Sequence, residues 1–279
     1  MKLVSFSLAD GRIRPGALIE DGKLVVDLGA AGYGDTLAVI AAGITSAEPG
    51  NTFPAFPVAE VRLHAPLLNP PRVFAIGLNY RDHAIESGMA IPTTPVVFFK
   101  LHTAIVGPGE PIVLPVNSTE PDYEAEFAFV IGHGGYRLAA DEWRHHVYGY
   151  TIVNDVSARD VQMATSQWSL AKSFPTFCPL GPAIVTADEI ADPHDLKIGL
   201  SIDGEVLQNS STRELVFKIP ELIEYISSIT PLLPGDIIST GTPPGVGLGR
   251  TPKRWLKPGE TVTVTVEGLG ELTNPVVAE

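Results

Sequence analysis

Apolar and polar residues alternate along much of the chain with the two-residue period of β-strands, and helix-like runs are few and short. The cleanest alternation is TVTVTVEG near the C-terminus, and LLPGDIISTG before it reads as another closing strand. RVFAIGLNY (72–80) is a strand running into a turn, and PVVFFK, YEAEFAFVIG and VYGYTIVNDV are further apolar strands. Asp-Gly pairs at 10–11, 21–22 and 203–204 mark hairpin turns. Short helices are expected around 35–42, over RDHAIESG (81–88) with Gly88 as its stop, and from Pro220 through PELIEYISSI. Six prolines between Pro49 and Pro71 forbid a continuous helix or a central strand, so that stretch reads as a linker. The expected fold is mainly β with short helices (α+β). A small N-terminal β/α domain and linker would cover residues 1–66, and a larger domain residues 67–279.

Composition narrows the function classes. Hydrophobic residues make up 44% and charged residues 18% of the 279, which is a globular balance. Gly 27 and Pro 25 fit many turns between short strands and exclude a helical bundle. The formal net charge of −13 repels nucleic acid and anionic membrane surfaces, so neither is an expected partner. A small anionic substrate needs a local cation or a metal. The lone Cys178 excludes an internal disulfide framework and reads as a small buried thiol in a reducing compartment. No stretch approaches a membrane span and the N-terminus lacks a signal-peptide core, so the expected location is cytoplasmic.

Candidate chemistry sits in DYEAEFAFVIG (122–132). Strand alternation puts Tyr123, Ala125, Phe127, Phe129 and Ile131 on one face, with Glu124, Glu126, Ala128 and Val130 on the other. Two carboxylates so spaced, about 7 Å apart, repel by roughly 2 kcal/mol at an effective dielectric of about 20. An apolar strand needs a cation or a proton to tolerate that. Asp155, ending the apolar strand of TIVNDV, could add a third oxygen donor. Three carboxylates suit Mg²⁺, Mn²⁺ or Ca²⁺, and no Cys/His spacing suggests zinc. Taken alone, E-x-E also describes a solvated strand edge.

Six segments resemble the fumarylacetoacetate hydrolase family, in the family's order and over residues 70 to 277. They are GLNYRDHAIESG, FFKLHTAIVG, EPDYEAEFAFVIG, GYTIVNDVSARDVQ, KSFPTFCPLGP and PGDIISTGTPPGVG. The resemblance implies a metal-dependent catalytic domain with a mixed β-roll fold, a homodimer, and action on small oxo-acids. By position it places the metal ligands on Glu124, Glu126 and Asp155. His83 and Glu86 match a dyad in which Glu orients an imidazole that takes a proton from water. Lys172 matches an oxyanion stabiliser. Arg159 and Gln162 match positions that hold substrate carboxylate and keto oxygens, and Thr242 lies in a Gly-Thr-Pro-Pro-Gly turn whose amides could accept an anion. One departure is Pro175, where the family pattern reads Asp.

The resulting expectation is hydrolysis of a carbon–carbon bond in an acylpyruvate-like β-diketo acid with Mg²⁺ or Mn²⁺. The same chemistry serves isomerases or decarboxylases of unsaturated 2-oxo acids, of oxaloacetate or 2-hydroxyhepta-2,4-diene-1,7-dioate type. A structural Ca²⁺-binding β-domain is the alternative of another class, and it has no need of His83, Glu86 or Lys172.

Overall fold

A computed structural model describes residues 1–47, 53–86 and 90–279, with side chains at all of these but 83 and 84. Nearly all the strands gather in two sheets. The larger runs Ala55–Pro57, Leu24–Asp27, Ile13–Ile19, Lys2–Ser7, Cys178–Thr186, Val147–Asn154, Ala125–Ile131, Ile237–Ser239, Val73–Gly77, Val96–Lys100. The smaller runs Glu205–Ser211, Lys197–Ile202, Thr261–Val266, Gly270–Ala278, Ile112–Leu114. This is the mainly β architecture with short helices that the alternation predicts.

Burial explains the two kinds of strand. Ala125–Ile131 and Val147–Asn154 are buried at every position, which is why they read as apolar runs. On one face, Phe127, Phe129, Tyr150 and Ile152 share a core with Ile198, Leu200, Val262 and Val264 of the smaller sheet. On the other, Ala128, Val130 and Val153 share a core with Val39 and Ile40 of the helix Thr36–Ala41. Thr261–Val266 buries only alternate residues, as its sequence dictates.

The turn chemistry holds as well. Asp203 and Gly204 both take positive φ between the paired residues Ile202 and Glu205, and Asp21 and Gly22 do the same after Ile19. Asp35 caps its helix by accepting from the Ala38 amide at 2.8 Å, and Pro220 stands in the first turn of Ile219–Ile229. The helix after the Val73–Gly77 strand covers Arg81–Glu86, and its expected stop at Gly88 lies outside the described residues. Within the proline-rich stretch, Ala55–Pro57 and Arg62–His64 form three-residue strands, the first at the sheet's edge where proline is tolerated. No described helix is long and apolar enough to cross a membrane.

Candidate active site

Sheet register assembles the acids. Ala125 pairs with Asn154, so Glu124 and Asp155 face each other across adjacent strands, and the Asp155 amide donates to the Glu124 carbonyl at 2.9 Å. Glu124 stands just before the strand, because its own amide turns to the Asn154 side chain at 3.1 Å. Glu126 points the same way from two residues on. Ligand atoms of Glu124, Glu126 and Asp155 all lie within 4.8 Å of one another, and all three residues are buried. They do not sit on a solvated edge.

The fold surrounds them with cations that are remote in sequence. Lys172 Nζ donates to Glu124 Oε2 and, at 2.7 Å, to Asp155 Oδ2. Lys100 Nζ donates to Asp155 Oδ1 and to the Lys172 carbonyl. Arg159 binds Glu124 Oε1 at 2.6 Å, Asp122 Oδ2 at 2.8 Å and Gln162 Oε1 at 2.8 Å. Burial alone would raise the Glu124 carboxyl, but Arg159 and Lys172 outweigh it and hold the group well below its usual 4.5. Burial works equally against the Lys172 ammonium, and Asp155 and Glu124 reverse it, so its pKa rises.

Glu126 differs. Its Oε2 accepts from Ser239 Oγ and from the Gly241 amide at 3.1 Å, and it has no ion pair among the described residues. Burial, then the charges of Asp155 and Glu124, push its carboxyl well above the ordinary range. Among the described residues, Asp122, Glu124, Glu126 and Asp155 together face only Lys100, Arg159 and Lys172, which leaves one negative charge over. A hard divalent cation fits this donor set, since its charge more than covers that excess beside three converging carboxylate oxygens.

Of these groups Glu124, Glu126, Arg159 and Lys172 line a cavity of about 410 Å³, whose walls are Ile76, Phe98, Met163, Trp168, Val246 and Leu248, while Asp155 is held behind them by Lys172 and Lys100. Gln162 and Thr242 also line it, with Glu86 and Lys253. The fold thus brings Glu86, Lys172, Arg159, Gln162 and Thr242 to one cavity with Glu124 and Glu126. The side chain of His83 lies outside the described residues, so the expected His83–Glu86 pair is not described. Two of the turn amides expected to take an anion are used by protein carboxylates instead: Gly241 donates to Glu126, and Gly245 to Glu86 at 3.0 Å. Pro175 is exposed and does not line the cavity. The buried Cys178 thiol is pushed up to about 12 by desolvation, which removes it as a nucleophile.

Sequence reasoning missed Lys100, Asp122, Ser239 and Gln208. Period two carried the first pair in plain view, since Asp122 shares parity with Glu124 and Glu126, and Lys100 with the buried Phe98. Nothing in the local pattern marked the other two.

Gly245 has φ +102, and a Cβ there would stand 2.1 Å from the Leu207 carbonyl oxygen. Gly245→Ala should therefore lower stability by about 1–3 kcal/mol and loosen the loop that holds Glu86. A thermal melt matching wild type would show that the loop shifts freely.

Fold and site together define a β-rich enzyme with a buried carboxylate centre able to take a divalent metal. Residues 72–277 match the model of the fumarylacetoacetate (FAA) hydrolase C-terminal domain, and the chain belongs to that family. It is 47% identical over 226 residues to the mitochondrial oxaloacetate tautomerase FAHD2A of Bos taurus, covering 80% of this chain and 72% of that one. It resembles the 5-carboxymethyl-2-hydroxymuconate delta-isomerase structure from Mycobacterium smegmatis, with 39% identity, TM-score 0.82 and full coverage of both chains. Fumarylacetoacetate hydrolase from Exiguobacterium antarcticum gives 37% identity and TM-score 0.90, again over the whole of both chains. Membership of this enzyme family sets the non-catalytic Ca²⁺-binding alternative aside.

Proposed function

We propose that the chain catalyses enol–keto proton transfer in a small 2-oxo dicarboxylic acid of the oxaloacetate type, with Mg²⁺ or Mn²⁺. The observation that carries this reading is the distribution of charge around the cavity. Its floor holds the carboxylate centre with Arg159 and Lys172, while the exposed Lys253 stands in the wall with no ion pair among the described residues. With a divalent ion held by the acids the floor carries net positive charge, and that charge and Lys253, separated by apolar wall, suit an acid with a carboxylate at each end. The tautomerase and isomerase names of similar proteins favour the same class of chemistry.

Glu124, Glu126 and Asp155 would hold the metal, which supplies Lewis acidity at the 2-oxo and carboxylate oxygens and so acidifies the neighbouring C–H. Lys172 keeps its positive charge beside that oxygen pair and favours the enolate over the ketone. Arg159 and Gln162, already bonded to each other, present their remaining donors to the carboxylate. Glu86, bonded to the Gly245 amide and lining the same cavity, would move the carbon-bound proton, and the apolar wall limits competing water. Hydrolysis of a β-diketo acid uses the same floor and is the second reading, favoured by the likeness to the Exiguobacterium hydrolase.

Ultraviolet decay of enol-oxaloacetate, run beside acylpyruvate cleavage on the metal-loaded protein, tests the proposal. Accelerated enol decay with intact acylpyruvate is expected. Faster acylpyruvate cleavage than enol decay would give the hydrolytic reading the lead. Lys253→Gln should raise KM for the dicarboxylate about 3–5-fold, the worth of one exposed ion pair, and leave a monocarboxylic 2-oxo acid unaffected. Equal changes for both acids would remove Lys253 from recognition.

A further inference from the structure

Gln208, in the strand Glu205–Ser211, is buried and satisfies its whole carboxamide. Its Oε1 accepts from the Ala125 amide at 2.9 Å, between the two candidate ligands Glu124 and Glu126. Its Nε2 donates to the Pro243 carbonyl at 2.8 Å and meets Thr242 Oγ1 at 2.9 Å. The two backbone partners fix the orientation of the amide. A flipped group would set its NH₂ against the Ala125 N–H and its oxygen against the Pro243 carbonyl, which is repulsive at both ends. Nε2 is therefore the donor toward Thr242, and both of its hydrogens are used.

That settles the polarity of the threonine. Thr242 Oγ1 accepts from Gln208, so its own hydrogen is free to be given away, and no protein acceptor takes it among the described residues. Thr242 is nearly buried and lines the cavity beside the carboxylate centre. A hydroxyl so constrained faces the cavity as a donor, which suits an anionic or carbonyl oxygen.

We propose that Gln208 is a positioning residue that holds the Thr242 hydroxyl as an obligate hydrogen-bond donor to a carboxylate or oxo oxygen of the bound acid. It touches no substrate itself and acts through Thr242. The inference rests on the cavity being the oxo-acid site.

Gln208→Glu reverses the device with almost no change of shape. A carboxylate still accepts from Ala125, but it also accepts from Thr242, so the threonine hydrogen turns away from the cavity. The probe is oxalate, titrated calorimetrically into the Mn²⁺-loaded protein, with Mn²⁺ affinity measured separately on each variant. Gln208→Glu should weaken oxalate about tenfold, and Thr242→Val by a similar factor. In the double variant the two losses should not multiply, because both remove the same donor. Gln208→Met frees the hydroxyl to rotate, so it should cost about 2–3-fold where Thr242 is intact and nothing in the Thr242→Val background.

Thermal melts distinguish a general packing defect, which would act equally with or without the Thr242 hydroxyl. Wild-type oxalate affinity in Gln208→Glu, or losses that multiply in the double variant, would overturn the role of Gln208. If Mn²⁺ binds the wild-type protein and oxalate does not, the reading of the cavity fails and the inference fails with it. If Gln208→Glu does not fold, the Gln208→Met pair carries the same comparison.

Discussion

Lys172→Met is expected to cost the metal-free protein about 3–5 kcal/mol, the usual consequence of stripping one partner from a buried ion pair. Two carboxylates each lose one of their two cationic partners at once, because Lys172 Nζ bridges Glu124 and Asp155 and leaves them Arg159 and Lys100. Turnover should fall by about 10²–10³-fold, as for the loss of one group that stabilises an oxyanion. Urea denaturation with chelator and again with Mn²⁺ separates the two effects. A divalent ion supplies the positive charge that the variant lacks, so metal should recover part of the stability and little of the rate. Full wild-type stability without metal would mean that Lys100 and Arg159 suffice for the acids. Full recovery of rate by metal would take Lys172 out of the chemistry.

Glu126→Gln gives the second large effect, and its sign depends on metal. The folded-state pKa of Glu126 is raised above 4.5 by burial and by Asp155 and Glu124. A raised pKa in the folded state favours folding fully only below the ordinary carboxylate range, and that contribution is lost as pH rises through the raised value. Metal-free wild type should accordingly lose ground to Glu126→Gln as pH climbs above the ordinary carboxylate range. At the upper end the variant should lead by on the order of 1 kcal/mol. With metal present the order inverts, because the amide is a poorer ligand, and metal affinity should drop beyond the roughly 10–100-fold typical of a lost outer partner. Denaturation midpoints across that pH range, with and without chelator, measure both halves. A metal-free variant less stable than wild type at high pH would make Glu126 a structural acceptor for Ser239 and Gly241.

Strand periodicity picks out the carboxylates, since the two-residue spacing of Glu124 and Glu126 aims both the same way and Asp155 ends another apolar strand. The choice of a metal centre over a solvated edge, and Glu86, Arg159, Gln162, Lys172 and Thr242, come from the resemblance. What local pattern cannot supply is register. The pairing of Ala125 with Asn154 and of Ala128 with Ser239 brings Asp155, Ser239 and Gly241 to the glutamates, and register depends on contacts between remote segments. The cations illustrate the same limit. Lys100, Arg159 and Lys172 look like separate charges along the sequence, and only the fold makes them the counter-charge of one acidic centre. Arg159 in particular carries structural bonds to Asp122 and Glu124 in addition to the substrate-facing position implied by the resemblance. The N-terminal strands were legible from their Asp-Gly turns, yet no local pattern reveals that Lys2–Ser7 joins the large sheet beside Cys178–Thr186.

Of the three tryptophans, only Trp168 lines the cavity. Its ring stands edge-on to Phe98, and a Cβ on Gly77 would come within 2.4 Å of it, so the indole is held against the cavity wall. Trp143 is buried elsewhere, under the Arg144 guanidinium and beside His194. The enzyme thus carries a native optical reporter of occupancy. An oxo-acid entering the cavity replaces water next to one indole and leaves the other two in their surroundings, so emission from unlabelled protein can follow loading and release on the timescale of a stopped-flow trace.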